Sequence, residues 1–229
     1  MEKVGEIIGK NLLQINAIKL EPANPFTWAS GWKSPIYCDN RKTLSYPEIR
    51  NYIRDQMVKI IRDRYADVDV IAGVATGAIA QGVLVAQELG LPFVYVRSSQ
   101  KQHGLENLVE GVVKPGQKVV VIEDLISTGS SSLKAVTALR NTGCEVKGLV
   151  AIFTYGFSVA AENFKKANCE WITLSNYNIM IDMACKYGFI KKPEIEALKS
   201  WKEDPENWNP ICPVKFKFCS RIFKKKNNK

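Results

Sequence analysis

The stretch KVVVIEDLISTGSSS, Lys118–Ser132, decides the fold. It opens on Val119, Val120, Val121 and Ile122, a β-branched run with no polar alternation. Such a run predicts a strand over Lys118–Ile122 covered on both faces, as in a parallel sheet. Two adjacent acids follow, Glu123 and Asp124, then Leu125 and Ile126. A loop of small hydroxyl residues surrounds one glycine: Ser127, Thr128, Gly129, Ser130, Ser131, Ser132. Leu133, Val136 and Leu139 then recur at helical spacing and predict a helix over Ser130–Asn141. Strand, acid pair, hydroxyl loop and helix together suit a sugar phosphate. Backbone N–H groups at a helix N-terminus have no internal partner and attract an anion. Hydroxyls add donors, and glycine permits close approach of the backbone. The acids can accept hydrogen bonds from sugar hydroxyls. A buried strand, two solvated acids and a Ser/Thr-rich helix cap would share much of this pattern. The adjacency of the two acids favours the sugar-phosphate reading.

Outward from this stretch, strands and helices alternate. Strands are expected at Val68–Val74, Phe93–Val96, Cys144–Phe153 and Trp171–Leu174. Helices are expected at Met1–Leu20, Pro47–Arg64, Ala78–Leu89, Ser158–Asn168, Asn176–Lys186 and Pro193–Lys202. The alternation predicts an α/β fold with a mainly parallel twisted sheet flanked by helices. Before it, PFTWASGWKSPIYCDNRKTLSYP is aromatic and interrupted by Gly31 and Pro35, and predicts a small hood of short irregular strands. Arg97–Gly116 reads as a long polar loop. In open parallel sheets ligands sit beyond the carboxyl ends of the strands. The loops Ala75–Ala78, Arg97–Gly116, Glu123–Ser131 and Thr154–Ser158 should therefore converge on one site.

Apolar residues make up 46% of the 229, enough for one substantial core over 1–209 with the hood at roughly 1–46. The net charge is +9, yet Lys215, Lys217, Arg221, Lys224, Lys225, Lys226 and Lys229 carry seven of those charges, leaving +2 for residues 1–209. The basicity is thus a C-terminal extension, 210–229, and not a nucleic-acid face. No apolar run approaches the roughly 20 residues of a membrane span, and no basic-then-apolar leader opens the chain, so no membrane partner is expected. The six cysteines form no CxxC pair, which points to free thiols in a reducing cytoplasm and away from a protein-built metal site.

Among candidate catalytic groups, the only histidine, His103, lies near Arg97 and Lys101 in the polar loop. Three potential cations there suit a lid over an anion. Thr76 and Gly77, in AGVATGAIAQG, form a second small-residue turn into a helix. GxxxxGK[ST], GxGxxG and GxSxG are all absent, which excludes the usual triphosphate cradle, dinucleotide turn and nucleophile elbow.

VVVIEDLISTGSS resembles the phosphoribosyl-pyrophosphate-binding motif of the type I phosphoribosyltransferases. FTWASGWKSPIYCDNR and VRSSQKQHG resemble the orotate-specific branch of that family. The resemblance spans about residues 2–208 and implies the type I phosphoribosyltransferase fold. It implies transfer of ribose 5-phosphate from phosphoribosyl pyrophosphate to orotate, with Mg²⁺ held mainly by substrate oxygens and water. Glu123 and Asp124 match the acids that hold the ribose hydroxyls. Leu125, Ile126, Ser127, Thr128, Gly129, Ser130 and Ser131 match the phosphate-binding segment, and Thr76 and Gly77 match the pyrophosphate turn. Arg97, Lys101 and His103 match the catalytic lid. In the family that loop, here 97–110, reaches the neighbouring subunit, so a homodimer is implied. Ser127, Tyr37 and Cys38 match orotate-contacting positions. Three departures stand out. Ala29 replaces a frequent lysine, Ser98 and Ser99 follow the loop arginine, and Phe153–Gly156 lacks the arginine that many members aim at the orotate carboxylate. Lys33 and Arg41, beside Tyr37, are the candidates for that missing cation. A transferase for another base, or a non-catalytic sensor of phosphoribosyl pyrophosphate, would share the phosphate loop. The first would lack the hood and the second the Lys101/His103 lid.

Overall fold

In a computed structural model, which describes residues 2–28, 30–99 and 108–209, the chain runs as follows. Helix α1 spans Glu2–Gln14, β1 Ile18–Leu20, β2 Phe26–Thr27, β3 Lys33–Ser34 and β4 Ile36–Cys38. A 3-10 helix covers Asn40–Ser45, then α2 covers Pro47–Arg64, β5 Val70–Val74, α3 Ile79–Leu89, β6 Phe93–Val96 and β7 Val109–Glu110. The second half holds β8 Lys118–Ile126, α4 Ser130–Asn141, β9 Glu145–Thr154, α5 Ser158–Lys166, β10 Trp171–Asn176, α6 Tyr177–Lys186 and α7 Glu194–Glu203. The residues 210–229, and with them the basic extension, lie outside the described residues, as do Lys101 and His103. No described helix is long and apolar enough to cross a membrane.

Six strands form one sheet in the order β10-β9-β8-β5-β6-β7, parallel except for β7. Alternation along β8 explains its unbroken apolar run. Val120 and Ile122 enter the core under α1, α2 and α3, while Val119 and Val121 enter the core under α4 and α5. From β5 the chain steps outward to β6 on one side and then to β8 on the other. The order reverses between β5 and β8, and that switch point opens a crevice at their carboxyl ends. The loops after β5 and β8 are therefore neighbours by topology.

Three elements differ from the sequence reading. Helix α1 stops at Gln14 because Asn16 takes a left-handed conformation (φ 53°), which asparagine tolerates. Ile18–Leu20 then turns back as a strand against Ile36–Cys38. Strand β8 runs four residues past Ile122, because Glu123, Leu125 and Ile126 keep pairing with Ala151, Phe153 and Thr154. The acids thus sit on rigid sheet and not in the loop. Val109–Glu110, expected as loop, returns antiparallel to Tyr95–Val96 and closes that edge.

The hood consists of the β1–β4 and β2–β3 pairs and the 3-10 helix. Two partly buried ties hold it down. Asn40 Nδ2 donates to the Asp124 carbonyl (2.6 Å), and Trp201 Nε1 of α7 donates to the Lys33 carbonyl (3.1 Å).

Candidate active site

Strand alternation sends the two acids to opposite sides of β8. Glu123 is buried against α4, where Ser132 Oγ donates to Oε2 (2.7 Å) and the Asp124 N–H donates to Oε1 (3.0 Å). Asp124 is less buried and faces Gly77. A Cβ at position 77 would overlap the Asp124 carboxylate, so only glycine lets the β5 turn close on the acid. The structure thereby brings Thr76, Gly77, Glu123 and Asp124 together.

Burial, then the charge of Asp124, pushes the Glu123 carboxyl well above its ordinary range, and the Ser132 hydroxyl only partly offsets this. Burial also raises Asp124, against hydrogen bonds that favour its charged form. A carboxyl raised in this way binds more protons folded than unfolded, between its ordinary value and its raised one. Stability therefore falls as pH climbs through that window. The thermal midpoint of the free protein should drop as pH rises above the ordinary carboxyl range, and Glu123→Gln should flatten that drop. An unchanged slope in the variant would place the titrating proton elsewhere.

The hydroxyl loop begins where β8 ends. Gly129 adopts φ 80° and caps α4 without any side-chain cap bond, so the first-turn N–H groups remain available to an anion. A Cβ on Gly129 would stand 2.8 Å from the Phe164 ring, a second reason for glycine there. Thr128 and Ser130 hydroxyls lie 3.1 Å apart, and Asn163 Nδ2 fixes the Thr128 carbonyl at 3.0 Å. Ile126 does not face this loop: its side chain is core, and its carbonyl accepts from Thr154 Oγ1 and the Tyr155 N–H.

Beside the loop, a cavity of about 350 Å³ is lined by Thr27, Trp28, Tyr37, Cys38, Leu125, Ser127 and Tyr155. Hood and sheet meet here, so Tyr37, Cys38 and Ser127 share one pocket. Leu125 belongs to this pocket and not to the phosphate loop. Burial, then nearby Asp124 and Asp39, pushes the Cys38 thiol up, and it donates to Asn40 Oδ1 (3.4 Å). Lys33 reaches the pocket edge, donating to Thr27 Oγ1 (2.8 Å). Arg41 is engaged elsewhere, paired with Asp39 at 2.6 Å, and does not line the cavity. Arg97 stands apart on the α4–α5 flank, 3.5 Å from Glu110, along a cavity of about 710 Å³ that includes Ser130 and Lys134.

Sequence reasoning placed Ser132 only among the loop hydroxyls and gave no individual role to Asn40, Thr27, Trp28 or Tyr155. Ser132 follows two other serines, and only its inward position on α4 singles it out. Asn40 meets Asp124 across 84 residues of chain, which no local pattern reveals.

A crevice that sets an acid pair, a glycine turn and an uncapped helix start beside an aromatic pocket defines the phosphoribosyltransferase class. Residues 44–187 match the family model described as phosphoribosyl transferase domain. Orotate phosphoribosyltransferase from Phocaeicola vulgatus is 60% identical over 208 residues, covering 91% of this chain and 98% of that protein. The enzyme of that name from Porphyromonas gingivalis is 60% identical over 208 residues, covering 91% and 99%. A crystal structure of orotate phosphoribosyltransferase from Aeropyrum pernix superposes with a TM-score of 0.70 at 26% identity, covering 80% of this chain and 99% of that one. The chain belongs to the orotate phosphoribosyltransferase family.

Proposed function

We infer that the chain transfers the 5-phosphoribosyl group from phosphoribosyl pyrophosphate to orotate, yielding orotidine 5′-monophosphate and pyrophosphate. The single observation that carries the reading is the joining of the acid pair and hydroxyl loop to a base-sized aromatic pocket at one switch point. A sensor needs the first half alone.

The reaction forms a bond from orotate nitrogen to ribose C1 and breaks the bond from C1 to pyrophosphate oxygen. Asp124, with Glu123 braced behind it by Ser132, accepts the ribose hydroxyls. The Ser127–Ser131 backbone and hydroxyls hold the 5′-phosphate, and the Thr76–Gly77 turn faces the pyrophosphate. Trp28, Tyr37 and Tyr155 enclose the base, which orients its nitrogen toward C1 and keeps water from the activated sugar. Arg97, Lys101 and His103 supply positive charge and a proton donor as negative charge grows on the leaving group. The homodimer, with loop 97–110 shared between subunits, rests on the family resemblance. A cytoplasmic setting fits the free thiols of Cys38, Cys144, Cys169 and Cys185.

Magnesium fits this acid pair. Asp124 faces the crevice at the Gly77 turn, while Glu123, raised by burial and then by the charge of Asp124, is held behind it by Ser132. A crevice carboxylate of this kind suits a cation brought in on substrate oxygens. Asp124 would reach it through ribose oxygens or water, and it would neutralise charge on the departing pyrophosphate. Loss of orotate absorbance should require phosphoribosyl pyrophosphate and Mg²⁺ together and stop on chelation. Pure protein that leaves orotate unchanged would remove the reading.

A further inference from the structure

Asp124 sits where β8 has outrun its neighbour on one side. Strand β5 pairs with β8 only as far as Gly73 and Ile122. On the other side β9 takes Glu123 and Leu125, and among the described residues neither register includes Asp124. Side chains hold the main chain that the ladder leaves. The Asp124 N–H donates to Glu123 Oε1 (3.0 Å), and the Asp124 carbonyl accepts from Asn40 Nδ2 (2.6 Å). A partly buried carbonyl without a ladder partner is costly to leave unmatched, and Asn40 takes the place that a longer β5 would fill.

Asn40 is itself firmly placed. It is 2% exposed, and its carbonyl accepts from the buried Thr43 Oγ1 (2.6 Å). The preceding Asp39 N–H donates to the carbonyl of buried Ala17 (2.8 Å). The amide has one orientation that satisfies both its ends. The Asp124 carbonyl can only accept, so Nδ2 faces it. Oδ1 is left to accept from Cys38 Sγ (3.4 Å), and Cys38 belongs to the wall of the acceptor pocket. A buried hood amide thus grips the main chain of an acid 84 positions away.

We propose that Asn40 is a positioning residue for the sugar-phosphate half of the site: its amide fixes the peptide that follows Asp124, and with it the aim of the carboxylate at the ribose hydroxyls. The direction of a side chain follows from the peptide planes on either side of it. A carboxylate must be held to within about 0.5 Å to meet two hydroxyls at once, and hydrogen bonds behind it supply that precision. Asn40 would therefore act on the ribose although it belongs to the hood.

The inference rests on the proposed placement of ribose at Asp124. Calorimetric titration of the full chain with ribose 5-phosphate and with inorganic phosphate tests it without the reaction. Asn40→Leu keeps the volume of the side chain and removes both bonds. It should weaken ribose 5-phosphate roughly 10- to 100-fold, the scale of a misplacement of about 1 Å, and leave phosphate, which needs only the hydroxyl loop, within about twofold. Asn40→Ser carries the same comparison if the leucine variant does not fold. In kcat/KM for phosphoribosyl pyrophosphate, Asn40→Leu added to Asp124→Ala should cost less than about twofold more, because the carboxylate it aims is already gone. Losses that multiply in the double variant would overturn the proposal and leave Asn40 a tie of the hood alone. Unchanged affinity for ribose 5-phosphate, or an equal loss for ribose 5-phosphate and phosphate, would overturn it too. Wild-type protein that binds ribose 5-phosphate but leaves orotate unchanged would sink the reaction reading instead, and the ratio of the two affinities would still decide the role of Asn40.

Discussion

Asp124→Ala should lower kcat/KM for phosphoribosyl pyrophosphate by roughly 10²- to 10⁴-fold without unfolding the protein. In the proposed reaction the carboxylate accepts from two ribose hydroxyls, and a hydrogen bond to a charged group contributes about 1.5–3 kcal/mol. Two such bonds amount to about 3–6 kcal/mol, and each 1.4 kcal/mol is about tenfold. Stability should hold because burial opposes the charge of Asp124 in the free protein. The backbone tie from Asn40 goes to the 124 carbonyl, which alanine keeps. Initial rates across both substrates would check this, with a calorimetric scan as control. An activity loss below about fivefold would mean that the ribose is held elsewhere. The same variant tests the shared loop. Under the proposed homodimer with a shared loop, mixing it with equally inert Lys101→Ala should restore about one quarter of wild-type activity, because half of the pairs would be hybrids with one intact site each. No recovery after subunit exchange would keep each loop over its own subunit.

The central motif was legible because its chemistry is local. A strand, two acids, a hydroxyl loop and a glycine lie within fifteen consecutive residues, Lys118–Ser132, and each announces itself by residue type. Glycine at 129 follows from its positive φ, a constraint that acts on one residue. What escaped was long-range. Tyr155 looks like one more aromatic at the end of a buried strand; only the packing of the hood against the sheet shows that it lines the pocket. Ser132 differs from Ser130 and Ser131 by helical phase alone. The acids were read as the start of a loop because polar residues usually end a strand. Here β9 keeps pairing past them, and the polar groups find Ser132 on one face and the crevice on the other. The hood was recognised as irregular, yet its anchoring by α7 depends on residues separated by 168 positions.

That anchor leads to the largest expected effect on stability. Trp201 is fully buried, and its ring meets those of Trp28, Tyr155, Phe157 and Tyr177 at 5.3–5.6 Å. Trp201→Ala should cost about 3–5 kcal/mol, the usual range for emptying so large a core site. For a chain of this size that corresponds to a fall of roughly 6–20 °C in the thermal midpoint. The damage should also be directional. Trp28 and Tyr155 line the acceptor pocket and lose their backing, and Lys33 loses the bond on its carbonyl, whereas among the described residues no hydrogen bond joins α7 to Asp124, Gly77 or the hydroxyl loop. The orotate KM should therefore rise well before the KM for phosphoribosyl pyrophosphate moves. Trp201→Phe should recover most of the packing but not the N–H, separating the two contributions of the indole. A Trp201→Ala protein that melts within about 2 °C of wild type would mean that α7 merely lies against the hood. One that lost both substrates equally would mean that the hood and the sugar-phosphate crevice respond as a single unit, coupled through Asn40.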